Sequence, residues 1–164
     1  MKKRLNFGCG SNILVGWDNV DIQTSQKIMK SFDFEKFPYP LKKNYYDYVL
    51  LKNILEHIEN PEKVLEEIHK ACKPNATIEI LVPHYSNKGA YNDFEHKHFF
   101  NEIYFIQLEK KHTRIKEKNL FKIKKLKLIP TKIGKFFPKK IRNKLSLFLN
   151  GLIKQIHVKL VVLK

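Results

Sequence analysis

A short apolar strand that runs straight into a glycine turn opens this chain: Leu5-Asn6-Phe7-Gly8-Cys9-Gly10, with a carboxylate, Asp21, shortly beyond it. That order constrains the fold more than any other feature, because it is how a parallel α/β sheet builds a nucleotide-sized site. The strand ends, glycines let the backbone approach a ligand closely, and a carboxylate at the end of the next strand can hold ribose hydroxyls.

The rest of the chain alternates in the same sense. Leu5–Gly8 is the first expected strand and Asn19–Ile22 the second. Only Gly10–Asp18 joins them, too short for a full crossover helix. A third strand is expected over Lys27–Phe32, a proline-stiffened loop at Phe37-Pro38-Tyr39-Pro40, and a buried parallel strand at Asp47–Leu51. Asn60-Pro61 opens the clearest helix, with Val64, Leu65, Ile68 and Cys72 as its stripe and Lys73-Pro74-Asn75 as its stop. Thr77–Val82 follows as a strand and Asn101–Lys110 as a helix. Phe121–Ile129 and Ile156–Leu163 are the last strands. Between those two, apolar residues at 141, 145, 148, 149, 152 and 153 keep helical spacing, so a basic amphipathic helix is expected over 139–155. The pattern as a whole predicts an α/β, mainly parallel sheet.

Length and charge narrow the function. The 164 residues suffice for one core but not two. Two cysteines, Cys9 and Cys72, give neither a disulfide framework nor ligand spacing, which favours a reducing compartment. No leader is expected, since the apolar stretch after Lys2-Lys3-Arg4 is short and holds Asn6 and two glycines. The net charge of +16 is unevenly spread: residues 1–109 hold 14 Lys/Arg against 15 acids, residues 110–164 hold 18 against Glu117 alone. Such a third is suited to an anionic partner, be it a phospholipid surface, a nucleic acid or a phosphorylated substrate. A solvated basic surface is the alternative.

Four stretches together resemble the small class I S-adenosylmethionine-dependent methyltransferases of the type 11 kind. They are Leu5–Gly10, Gly16–Ile22, Asp47–Ile58, and Lys73-Pro74-Asn75 with Thr77–Pro83. The resemblance implies a Rossmann-like sheet with its last strand antiparallel, helices on both faces and a shortened first crossover. It would form one domain over 1–164 with the helical insertion at about 131–155. It implies S-adenosylmethionine as cofactor, with Gly8, Cys9 and Gly10 under its methionine part, Asp21 on the ribose, Asp33 and Phe34 beside the adenine, and Asn53 near the sulfonium. The alternative for Asp33 is a turn cap, and for Asn53 a partner for loop backbone. Two departures stand out: Ser11-Asn12 replaces the third glycine, and Lys73-Pro74-Asn75-Ala76 stands where Lys-Pro-Gly-Gly is usual.

The segment after the fifth strand should lie at the carboxyl edge of the sheet, where ligands bind. It holds Pro83-His84-Tyr85-Ser86 and Tyr91–Phe99, including an Asp-x-x-His match at Asp93 and His96. His96 or His84 is the expected base, with Asp93 orienting an imidazole, should the acceptor have to lose a proton. Packing or capping is the alternative for His96, and His57 is expected to fix a helix start. His84, His96, His98, Asp93 and Glu95 are irregularly spaced, and no metal is expected. The expected acceptor is a small, glycan or lipid-linked molecule. The lysine-rich 110–164 segment would then meet an anionic membrane from the cytoplasmic side. RNA as partner, and a catalytically inactive binding module, are the rival readings; the oligomeric state is left open.

Overall fold

In the computed structural model, which describes residues 2–23, 30–114 and 119–164 with side chains to 110 and again from 119, seven strands form one sheet. The strands are β1 (Arg4–Phe7), β2 (Asp18–Asp21), β3 (Lys30–Ser31), β4 (Tyr46–Lys52), β5 (Cys72–Pro83), β6 (Phe121–Pro130) and β7 (Ile153–Val162). Their order is β3-β2-β1-β4-β5-β7-β6. The first five run parallel, and β7 lies antiparallel to both β5 and β6. The expected third strand falls partly outside the described residues, which place β3 at Lys30–Ser31.

Register fixes which side chains share a face. Leu5, Val49, Ile78 and Leu160 line up across the sheet, as do Phe7, Leu51, Ile80 and Val158, and all are fully buried or nearly so. Two helices cover this face: α1 (Pro61–Ala71), which lays Val64, Leu65 and Ile68 on it, and α2 (Glu102–Arg114), which contributes Phe105 and Leu108. Asn60 caps α1 as its sequence predicts, its Oδ1 accepting from the Lys63 N–H at 3.0 Å. The β3–β4 connection adds an aromatic cluster, with Phe34 stacked on Phe7 at 4.2 Å between ring centres and Tyr39 at 5.6 Å.

Among the described residues, α1 and α2 lie on the same face. Right-handed crossovers from β1 toward β4 and β5 fall on one face, and those from β1 toward β2 and β3 on the other. The connection between β1 and β2, residues 8–17, is too short for a full crossover helix, as expected. The opposite face, lined by Tyr48, Leu50, Thr77, Glu79 and Leu81 with Arg4 and Trp17, is left as an open cavity of about 710 Å³.

The C-terminal elements differ from expectation in one respect. The helix between the last two strands, α3 (Lys139–Leu145), stops ten residues short of 155. Gly151 takes a left-handed conformation at φ +83°, and Leu152 and Ile153 are drawn into the buried start of β7 instead. The apolar spacing at 148, 149, 152 and 153 thus belongs to a turn and a strand.

Candidate functional site

All parallel strands end on one edge of the sheet, and the turn after β1 opens there. The N–H groups of Gly8 and Cys9 both donate to the carbonyl of Val20, at 3.0 and 3.1 Å, which bends the chain sharply off the strand. Gly8 (φ +67°) has no room for a side chain: a Cβ would lie 2.5 Å from Ile54 Cγ1. Gly10 (φ +47°) faces open space, with nothing within 4 Å of where a Cβ would be. The turn is therefore pinned at Gly8 and free at Gly10, a cradle that a ligand can approach.

Two buried amides hold the short connection that replaces a crossover helix. Asn6 Nδ2 donates to Asn12 O at 2.8 Å and to Asn19 Oδ1 at 2.9 Å. Asn19 Nδ2 in turn donates to the carbonyls of Leu14 and Trp17, and its Oδ1 accepts from Leu14 N at 3.0 Å. Sequence reasoning missed this pair, although two asparagines inside otherwise apolar strands are a visible signal.

The expected cofactor-site residues fall into three groups. Gly8, Cys9, Gly10 and Asp21 come together: Asp21 Oδ2 accepts from Gly10 N at 2.7 Å and Oδ1 from Gln23 N at 3.2 Å. Each oxygen keeps further acceptor capacity. Asn53 closes β4 at φ +53° on the same edge, its Oδ1 accepting from Gln155 Nε2 at 3.1 Å, so Gln155 joins the set from β7. Asp33 and Phe34 behave otherwise. Asp33 caps its own turn, accepting from Glu35 N at 2.9 Å with Lys36 Nζ at 3.7 Å, and the Phe34 ring lies in the core against Phe7.

Beyond β5 the edge holds a second cavity of about 640 Å³, lined by Ser86–Lys88, Tyr91, Asn92, Thr131–Ile133 and Asn150–Gly151. Gly151 N donates to Ser86 O at 2.7 Å, and Thr131 Oγ1 to Gly151 O at 2.6 Å, fixing its walls. None of His84, His96 and Asp93 lines it. His84 is buried between Ser86 Oγ (2.7 Å from Nδ1) and Glu102 Oε2 (3.5 Å from Nε2), and burial pushes its pKa down. His96 turns inward, its Nδ1 donating to Ala90 O at 2.8 Å and its Nε2 lying 3.9 Å from Asp93 Oδ2. Both imidazoles thus tie the 84–100 loop down.

A family model described as a methyltransferase domain matches residues 3–129. A comparison with curated protein sequences gives no significant match. Among solved structures, an S-adenosylmethionine-dependent methyltransferase from Archaeoglobus fulgidus superposes with a TM-score of 0.68 at 16% identity, over 98% of this chain and 86% of that one. Phosphoethanolamine N-methyltransferase 2 of Haemonchus contortus, solved with phosphomonomethylethanolamine and S-adenosylhomocysteine, gives 0.67 at 14%, over 100% of this chain and 50% of that one. The [4+2]-cyclase SpnF gives 0.60 at 11%, over 99% and 74%. At such identities the likeness carries the fold, a Rossmann-like sheet shared by methyltransferases and by at least one cyclase.

Proposed function

Because this chain belongs to the methyltransferase domain family, we propose that it binds S-adenosylmethionine at the β1 turn and transfers its methyl group to an acceptor held at the carboxyl edge of the sheet. The observation that carries this reading is the pairing of an open glycine cradle at Gly10 with the Asp21 carboxylate beside it. Backbone alone at Gly10 leaves space for the methionine part, and a carboxylate can accept from two ribose hydroxyls at once, which few other groups do. Asn53 and Gln155 would face the reacting end. Asp33 and Phe34, engaged in their own turn and in the core, leave the adenine side to other residues.

When bound, S-adenosylmethionine supplies a methyl group already activated on a sulfonium. The work left to the chain is alignment and the exclusion of water. The cavity between Ser86 and Gly151 is the natural place for the acceptor, since it lies on the same edge. Its Lys88 and Lys132 favour an anionic group there, such as the phosphate of a lipid-linked or glycan acceptor. The exposed Phe136 and Phe148 among lysines beside that cavity favour an acceptor presented at an anionic membrane over a free nucleic acid.

Calorimetry with S-adenosylmethionine tests the reading. Saturable one-to-one binding is expected, weakened by Asp21→Ala by about 1–3 kcal/mol, the cost of leaving polar partners unpaired. Absence of saturable binding by the intact chain, or an unchanged affinity in the variant, defeats the site as described.

A further inference from the structure

One buried side chain next to the cradle has no partner. Glu56 lies in the short 3-10 turn Leu55–His57 that follows Asn53 and Ile54, and it is 1% exposed. Neither of its carboxylate oxygens has a hydrogen-bond partner. An ionised carboxylate held this way is costly unless a cation compensates it. Two imidazoles stand against it. One ligand atom from each of Glu56, His57 and His96 lies within 4.8 Å of the other two, and the two rings meet edge-on at 4.7 Å between centres.

The His96 imidazole is oriented as a ligand usually is. The Ala90 carbonyl can only accept, so His96 carries its proton on Nδ1 and leaves Nε2 with a free lone pair. Carbonyls that fix the tautomer of a ligating histidine are the usual outer support of a metal site. A fourth group is at hand, since Asp93 Oδ2 lies 3.9 Å from His96 Nε2. Three ligands each about 2.1 Å from a metal stand about 3.4–3.6 Å from one another, so atoms up to 4.8 Å apart would close by about 1 Å on binding the ion, a side-chain adjustment.

We propose that Glu56, His57 and His96 form a binding site for one divalent transition-metal ion, zinc by preference, with Asp93 in reach as a further ligand. Two imidazoles and a carboxylate suit zinc and its first-row neighbours, whereas magnesium and calcium take oxygen ligands. The ion would fasten the acceptor-side loop to the cofactor side of the sheet. That loop already docks on the same turn, Lys97 N and His98 N both donating to the Glu56 carbonyl at 2.7 and 3.2 Å. One residue before the turn, Ile54 packs on Gly8. The inference is independent of methyl transfer.

The test uses the full chain, free of any affinity tag, stripped with a chelator and then titrated with Zn²⁺ by calorimetry. One equivalent per chain is expected, with a rise in the thermal midpoint. Co²⁺ in its place should give the visible absorption of a nitrogen- and oxygen-ligated ion. His57→Gln, His96→Gln and Glu56→Gln should each weaken zinc at least about tenfold. His98→Gln should not, because His98 points away to the Glu59 carbonyl at 3.1 Å. Circular dichroism identifies any variant that fails to fold, and the titration of the unaltered chain decides the matter without them. Failure of that chain to take up one equivalent, or equal zinc binding by folded His57→Gln and His96→Gln, overturns the proposal in favour of a neutral, protonated Glu56.

Discussion

Gly8 and Gly10 sit two residues apart and both take left-handed backbone, yet they should respond differently to a methyl group. At Gly8 an alanine meets Ile54 at 2.5 Å as well as the conformational penalty. The sum is on the order of 2–4 kcal/mol, and trimming Ile54 to Ala in the same chain should recover part of it. Gly10→Ala carries the conformational part alone, about 1–2 kcal/mol, but fills the cradle. Urea unfolding should therefore rank Gly8→Ala as the less stable, and calorimetry should find S-adenosylmethionine affinity lowered in Gly10→Ala although it folds. The cysteines make a second contrast. Burial pushes the Cys72 thiol up to about 12, and burial with Asp21 nearby raises Cys9 to a lesser degree. A raised thiol pKa means less thiolate at any given pH, so at pH 8 the native chain should alkylate slowly at both positions. Labelling should reach Cys9 first as pH climbs and Cys72 only on unfolding, as mass spectrometry of iodoacetamide adducts can follow.

Among the elements, those with a local signature were the legible ones. Asn60-Pro61 announces α1 because cap and first turn lie within a few residues, and the apolar alternation of β5 through β7 reports a sheet with one buried face. The helix expected to 155 failed because period alone cannot distinguish a helical stripe from a turn followed by a strand, and Gly151 decides for the second. The Glu56, His57 and His96 cluster was hidden for another reason: its members become neighbours only when the 84–100 loop folds back on the β4 turn. The asparagine pair under the first connection should show how far an element can depend on two side chains. Asn19→Ala leaves Asn6 Nδ2 short of a partner, together with Leu14 N and the carbonyls of Leu14 and Trp17. A loss of about 2–3 kcal/mol is expected in denaturant unfolding, along with weaker S-adenosylmethionine binding, because that connection carries the cradle.

Across the whole molecule, the parallel run and the antiparallel last strand were legible, but the order of the strands was not, since it depends on which edge each connection reaches. Charge at this scale was legible in full, because it needs only counting. Its meaning depends on what the structure sets beside it. The lysines of β6 at 122, 124, 125 and 127 are exposed, and so are Lys132, Lys135, Lys139, Lys140 and Lys144 around α3. Among them stand Phe136 at 86% exposure and Phe148 at 85%, with Leu147 at 69%. A nucleic-acid surface would use such rings as stacking platforms within a groove, whereas a lipid interface needs them proud of the surface, with cations around them. The membrane proposal draws on the second arrangement and is open to test. Vesicles containing about a third phosphatidylglycerol should therefore bind the chain, and phosphatidylcholine vesicles should not. Each lysine near the surface contributes roughly 1 kcal/mol, so raising salt from 50 to 300 mM should release most of it. Phe136→Ser with Phe148→Ser should weaken binding while leaving its salt dependence intact, because the rings supply buried area and the lysines the attraction. Salt-sensitive binding to RNA that exceeds binding to those vesicles, or vesicle binding indifferent to both phenylalanines, would turn the basic third toward a polyanion instead.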